Sequence, residues 1–119
     1  MLNKILITIL FVIIVITSNK YPHHDNVSKN VTILVVDCEN KTQENIYENI
    51  YDRYLKDLLL RKYDTTIQNG ILYDLGTIQT NFKNNYIAIY INNEYAMVGI
   101  NDIVLVNNYE YKFVCEVIK

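Results

Sequence analysis

Glycine and proline are scarce in this chain, with three Gly and one Pro among 119 residues. That excludes collagen-like repeats and Gly/Pro-rich low-complexity sequence. Gly70, Gly76 and Gly99 are isolated, so no Gly-rich phosphate loop exists and each reads as a turn or bulge position. Serine and histidine are nearly as rare. The only serines are Ser18 and Ser28, and the only histidines are the adjacent His23 and His24. A Ser–His–Asp or Cys–His catalytic set therefore lacks parts. Two cysteines, Cys38 and Cys115, are too few and too far apart for a CxxC redox pair or a four-cysteine zinc site. His23-His24-Asp25 reads as exposed tail rather than as a metal site, and no metal or cofactor is expected. A basic excess is also missing. Eleven Lys and Arg face thirteen Asp and Glu, a net charge of −2, which argues against nucleic-acid binding. The length excludes two ordinary domains, and a 50% hydrophobic content excludes a disordered tail.

What is abundant is Asn (16), Ile (18), Lys (9) and Tyr (11). All four have AT-rich codons. Large DNA viruses, protists and low-GC bacteria share that bias.

Residues 1–18 read MLNKILITILFVIIVITS. Lys4 supplies a positive start and Ile5–Thr17 an uncharged apolar run. The run has the length of a signal-peptide core and is short for a bilayer span of about 20 residues. Cleavage after Ser18 is the expectation, and an uncleaved signal anchor holding an ectodomain to a membrane is the alternative. Three sequons follow, at Asn26, Asn30 and Asn40, none with proline at the middle position. Behind a signal peptide they are candidate N-glycosylation sites. In an oxidising compartment Cys38 and Cys115 are expected to pair, closing a 77-residue loop. An intermolecular bridge or two buried thiols are the other options.

Residues 19–30 are polar and read as a flexible lead-in to one domain over 31–119. Val31–Val36 (VTILVV) reads as a strand buried on both faces. Residues 43–63 read as an amphipathic helix. At about 100° per residue, Tyr47, Ile50, Tyr51, Tyr54, Leu55 and Leu58 share an arc, with Asp52→Lys56 and Asp57→Arg61 as supporting pairs. From residue 64 the period becomes two. Asn69-Gly70 marks a hairpin turn, Thr77–Phe82 a further strand, and Asn92-Asn93-Glu94 a turn between Tyr86–Ile91 and Tyr95–Ile100. Ile103–Val106 and Tyr109–Ile118 read as one more hairpin, with Tyr111, Phe113 and Cys115 on a shared face. The expected fold is α+β: one amphipathic helix packed on an antiparallel meander, its early strand joined to the last by the disulfide. The outline is similar to cystatin-like folds in architecture alone, since the QxVxG loop of the inhibitors is missing.

Asp64, Asp74, Glu94, Asp102 and Glu110 populate the meander at spacings that fit no hydrolase or calcium motif, which leaves a carboxylate hydrolase as a remote reading. They stand against a single Lys83 over residues 64–111, so this half is mildly acidic and suits a basic protein partner. If Ile87, Ile89 and Ile91 face the core, Tyr86 and Tyr90 face outward. With Tyr95 they form the candidate binding surface, because tyrosine offers rigid amphipathic contact area. The expectation is a small secreted, glycosylated, non-enzymatic module that binds an extracellular or luminal protein, with membrane contact only if the N-terminal segment persists. In a viral genome it would be an effector acting on a host extracellular protein.

Overall fold

A computed structural model of the chain describes residues 24–118. The expected signal segment and His23 lie outside these residues. Eight strands and one helix follow in the order β1 His24–Val36, β2 Thr42–Asp52, α1 Leu55–Lys62, β3 Thr65–Gln68, β4 Ile71–Leu75, β5 Ile78–Gln79, β6 Asn85–Ile91, β7 Glu94–Tyr95 and β8 Glu110–Val117. A short 3-10 helix, Ile100–Asp102, lies between β7 and β8.

The strands form a five-stranded sheet in the order β2-β1-β8-β6-β7 and a three-stranded sheet β3-β4-β5. All neighbours are antiparallel except the central pair β1 and β8, which run parallel from Thr32↔Glu110 to Val36↔Val114. The class is the expected one: a helix on a largely antiparallel sheet. The strands, however, divide between two sheets rather than following one meander. The disulfide joins Cys38 to Cys115 with Cα atoms 5.0 Å apart, tying the loop after β1 to β8.

Alternation explains the core. Val31, Ile33 and Val35 of β1, Tyr111, Phe113 and Cys115 of β8, and Ile87 of β6 point to one face of the large sheet. Leu55, Leu58 and Leu59 of α1 cover that face together with Leu72, Leu75 and Ile78 of the small sheet. The helix is short, eight residues from the N-cap Tyr54, with Asp57 in its first turn and Arg61 and Lys62 in its last, as its dipole favours.

Three expectations need correction. Residues 43–52 are strand, not helix. β2 carries a bulge at Asn49 (φ 57°), where it advances three residues from Tyr47 to Ile50 while β1 advances only two, from Val31 to Lys29. The extra residue brings Tyr47 and Ile50 to the same face and so imitates helical spacing. Asn, Ile and Tyr dominate this stretch, and β-branched and aromatic residues favour strands. Next, β1 begins at His24, so the second half of the expected lead-in belongs to the sheet. Finally, Ile103–Val106 does not form a hairpin with β8. It runs beside the β2–α1 junction instead, with Leu55 N–H donating to Ile103 O (2.9 Å) and Leu105 N–H to Arg53 O (2.8 Å).

Candidate functional site

The second face of the five-stranded sheet carries no helix and no second sheet among the described residues. Its rows follow from the register. Tyr90, Lys112, Leu34 and Glu44 lie side by side across β6, β8, β1 and β2; Ala88, Val114, Val36 and Thr42 form the next row, and Tyr86 and Glu116 begin the one after. Leu34, Val36 and Val114 are half-buried although no helix or sheet of the described residues packs over them. Ala88 is 2% exposed although it stands on this face.

The three tyrosines expected to form a surface are on this side. Tyr90 and Tyr95 are cross-strand partners in the β6–β7 hairpin and meet edge to face, centroids 5.7 Å apart. The Lys112 ammonium sits 5.2 Å over the Tyr90 ring, a cation–π contact. Tyr86 lies four residues from Tyr90 and leans on Phe82 (6.4 Å), which in turn meets Tyr73 (4.9 Å). Aromatic contact thus runs along the β6 margin, with a central aliphatic strip beside it. Glu44, Glu110 and Glu116 outnumber Lys112, so the face is mildly acidic. The aliphatic strip is not legible in the sequence, because the continuous run VTILVV gives no sign that its even members lack a cover.

All three sequon asparagines are exposed, Asn26 and Asn30 on β1 and Asn40 in the following turn with φ 64°. Asn30 is held firmly. Its N–H donates to Asn107 Oδ1 (2.8 Å), its carbonyl accepts from Asn108 N–H (2.7 Å), and its Oδ1 accepts from Asn49 N–H (3.1 Å). Nδ2, the atom a glycan would use, stands outside these bonds. Between the first two sequons, Lys29 is 4% exposed, and its ammonium donates to Asp25 at 3.2 Å. That hydrogen bond holds the Asp25 carboxyl below the usual carboxylate range.

Two further tyrosines fasten elements together. Tyr111 hydroxyl donates to Val104 O (3.0 Å) and accepts from Val106 N–H (2.8 Å), and burial pushes its pKa up to about 12. Tyr63 hydroxyl accepts from Asn45 Nδ2 (2.9 Å) and from Tyr47 hydroxyl (3.0 Å). Burial raises its pKa well above the ordinary tyrosine value. The expected Asp57–Arg61 pair is absent, because Arg61 reaches Asp52 at 2.8 Å. Of the meander carboxylates, Asp64, Glu94 and Asp102 are exposed, Asp74 accepts from Thr80 N–H, and Glu110 stands on the open face. Among the described residues, no three His, Cys, Asp or Glu side chains are grouped to hold a metal ion, and no helix is long and apolar enough to cross a membrane.

Over the described residues, the fold and the open face define an α+β domain with one α-helix, stapled by a single disulfide. No family model matches the chain, and no curated protein matches it. Among solved structures it is similar to a crystal structure from Ruminococcus gnavus described as a "putative metal binding protein". The TM-score is 0.66 over 76% of this chain and 99% of that one, at 10% sequence identity. A likeness at that identity shows a shared fold alone.

Proposed function

We propose that the protein is a secreted, N-glycosylated, non-enzymatic module that binds an extracellular protein through the open face of its five-stranded sheet. In a viral genome the partner would be a host protein. The observation that carries this reading is the open face itself. It combines an aliphatic patch (Leu34, Val36, Val114) with rigid aromatic contacts (Tyr86, Tyr90, Tyr95), Lys112 lying between the two, and acidic residues toward the edges (Glu44, Glu110, Glu116). An apolar centre within a polar rim, with tyrosine enriched, is the usual anatomy of a protein interface. The acidic balance of the border favours a partner surface with basic residues around an apolar patch. The Cys38–Cys115 disulfide is consistent with an oxidising compartment.

Two measurements test the proposal. N-terminal sequencing of the protein released by expressing cells is expected to start after Ser18, whereas an intact Met1 contradicts secretion by cleavage and favours a tethered ectodomain. Extracellular proteins are then presented to the wild-type protein and to a Tyr86→Ser/Tyr90→Ser variant with its disulfide intact. A partner retained by the wild type and bound at least about tenfold more weakly by the variant is expected, as loss of aromatic hot-spot residues implies. Equal retention by both contradicts the assignment of this face.

A further inference from the structure

β2 is an outer strand of the large sheet, and among the described residues no strand pairs with its far side. Two backbone bonds fix which of its peptide groups point outward. Asp37 N–H donates to Lys41 O (2.9 Å), so residue 41 turns its carbonyl toward β1. Thr32 N–H donates to Tyr109 O (3.0 Å), so the even residues of β1 turn theirs toward β8 and the odd ones toward β2. The backbone groups of Gln43, Asn45 and Tyr47 therefore face β1, opposite Val35, Ile33 and Val31. Those of Thr42, Glu44, Ile46 and Glu48 face away from the sheet, and all four residues are exposed. Ile46 is 65% exposed, more than any other large hydrophobic residue of the described strands. The turn bonded from Asp37 to Lys41 bounds this edge at one end and the Asn49 bulge (φ 57°) at the other. The regular edge is thus Thr42–Glu48, with Asn45 at its midpoint. Such a row of outward donors and acceptors at strand spacing is complemented by another extended backbone.

We propose that β2 pairs antiparallel with β2 of a second copy of this chain, about a two-fold axis through Asn45. The segment is self-complementary in length, parity and charge. Residues directly opposite one another must share a face, so a two-fold axis passes through a residue and not between two. An axis at Ile46 sets Glu44 opposite Glu48 of the second copy, and an axis at Glu44 sets that residue opposite itself. Like charges directly opposite are destabilising. Axes at Gln43 or Tyr47 shorten the paired stretch. The axis at Asn45 pairs all of Thr42–Glu48, with Glu44 opposite Ile46 and Glu48 opposite Thr42. Each carboxylate then meets a neutral side chain, and the four outward residues form hydrogen-bonded pairs. The glutamates thus disfavour the neighbouring registers and leave this one. The seam is narrow, so the association is weak and transient. It goes beyond the open-face reading and does not depend on it, although it would set two open faces side by side.

The full-length chain, expressed through a secretory pathway, is followed by analytical ultracentrifugation over a concentration series. Reversible dimerisation is expected, with Kd on the order of 100 μM for so small a seam. Ile46→Pro removes an outward N–H and leaves the β1–β2 ladder intact, since proline is tolerated where the N–H of an edge strand faces solvent. It is expected to weaken dimerisation at least about tenfold with the circular dichroism spectrum unchanged. A second pair of variants reads the register. Asn45→Cys brings two thiols across the axis with Cβ atoms about 4.5 Å apart, and oxidation by diamide is expected to link the two copies there. Gln43→Cys lies opposite Tyr47 of the second copy and is expected to stay unlinked. A monomer at every concentration overturns the proposal and leaves the edge to a strand from another protein. A dimer that survives Ile46→Pro, or one linked through Gln43→Cys in place of Asn45→Cys, overturns it as well.

Discussion

At the residue scale, asparagine replaces the glycine this chain lacks. Among the described residues, seven non-glycine residues have positive φ, and six of them are asparagines: Asn40, Asn49, Asn69, Asn92, Asn93 and Asn108. A left-handed backbone costs most L-residues roughly 1–2 kcal/mol, and asparagine is among the few that visit it routinely. The AT-biased composition and the turn geometry thus meet in one residue type. Asn93 (φ 69°) closes the β6–β7 hairpin. Asn93→Val is expected to lower stability by about 1–2 kcal/mol, whereas Asn93→Gly should leave it unchanged or slightly raised, as read from urea midpoints. Phe82 (φ 59°) is the exception, a bulky residue in the same conformation held against Tyr73 and Tyr86. Buried Lys29 offers a second test. Lys29→Met is expected to be neutral or stabilising, and Asp25→Ala destabilising, because the latter leaves a buried ammonium without its partner.

At the element scale, the hairpins are legible because their turn residues and alternation agree. Asn69-Gly70 joins β3 to β4, and Asn92-Asn93 joins β6 to β7. Ile87 is buried while Tyr86 and Tyr90 take the other face, which makes the tyrosine part of the candidate site readable from sequence. Two elements are not readable for a physical reason. The Asn49 bulge turns a two-residue period into a three-residue step, so β2 resembles helix. The segment 103–106 has a strand's composition, yet its partners are backbone groups at residues 53–55, a non-local choice that no pattern within the segment encodes. Asp57 likewise looks paired with Arg61 until Asp52 proves to be nearer. Tyr111 clasps the 103–106 segment to β8. Tyr111→Phe leaves Val106 N–H without its acceptor and is expected to cost about 1–3 kcal/mol. The Tyr111 pKa, about 12, lies above the ordinary tyrosine value of 10.0. The folded state therefore holds the phenolic proton more tightly than the unfolded chain. This contribution is complete below pH 10 and is lost as pH rises from about 10 to 12, at no more than about 1.4 kcal/mol per pH unit. The alkaline fall in thermal midpoint is expected to be shallower in Tyr111→Phe.

At the scale of the whole molecule, one covalent link and one uncovered surface define the protein. The disulfide spans 77 residues and fastens the loop after β1 to the last strand, alongside the parallel ladder at the centre of the sheet. In the chain-entropy model a loop of that size contributes about 4 kcal/mol, a large share of a small domain's stability. Cys38→Ala/Cys115→Ala is expected to lose about that much in urea unfolding, and a loss under about 1 kcal/mol would show that the strand pairing alone holds the two ends. Both cysteines and their pairing are legible from their count together with the compartment expected from the N-terminal segment. The open face is only half legible, since its aliphatic strip emerges when β1 lies between β2 and β8 with no layer of the described residues above it. The central claim is that this face meets the partner, and tyrosine-selective acetylation with mass-spectrometric readout, with and without the captured partner, tests it most directly. The account predicts protection of Tyr86, Tyr90 and Tyr95 while Tyr109, exposed and leaning on core-facing Tyr111, is modified at an unchanged rate. Protection of Tyr109 with Tyr86, Tyr90 and Tyr95 unaffected would contradict it.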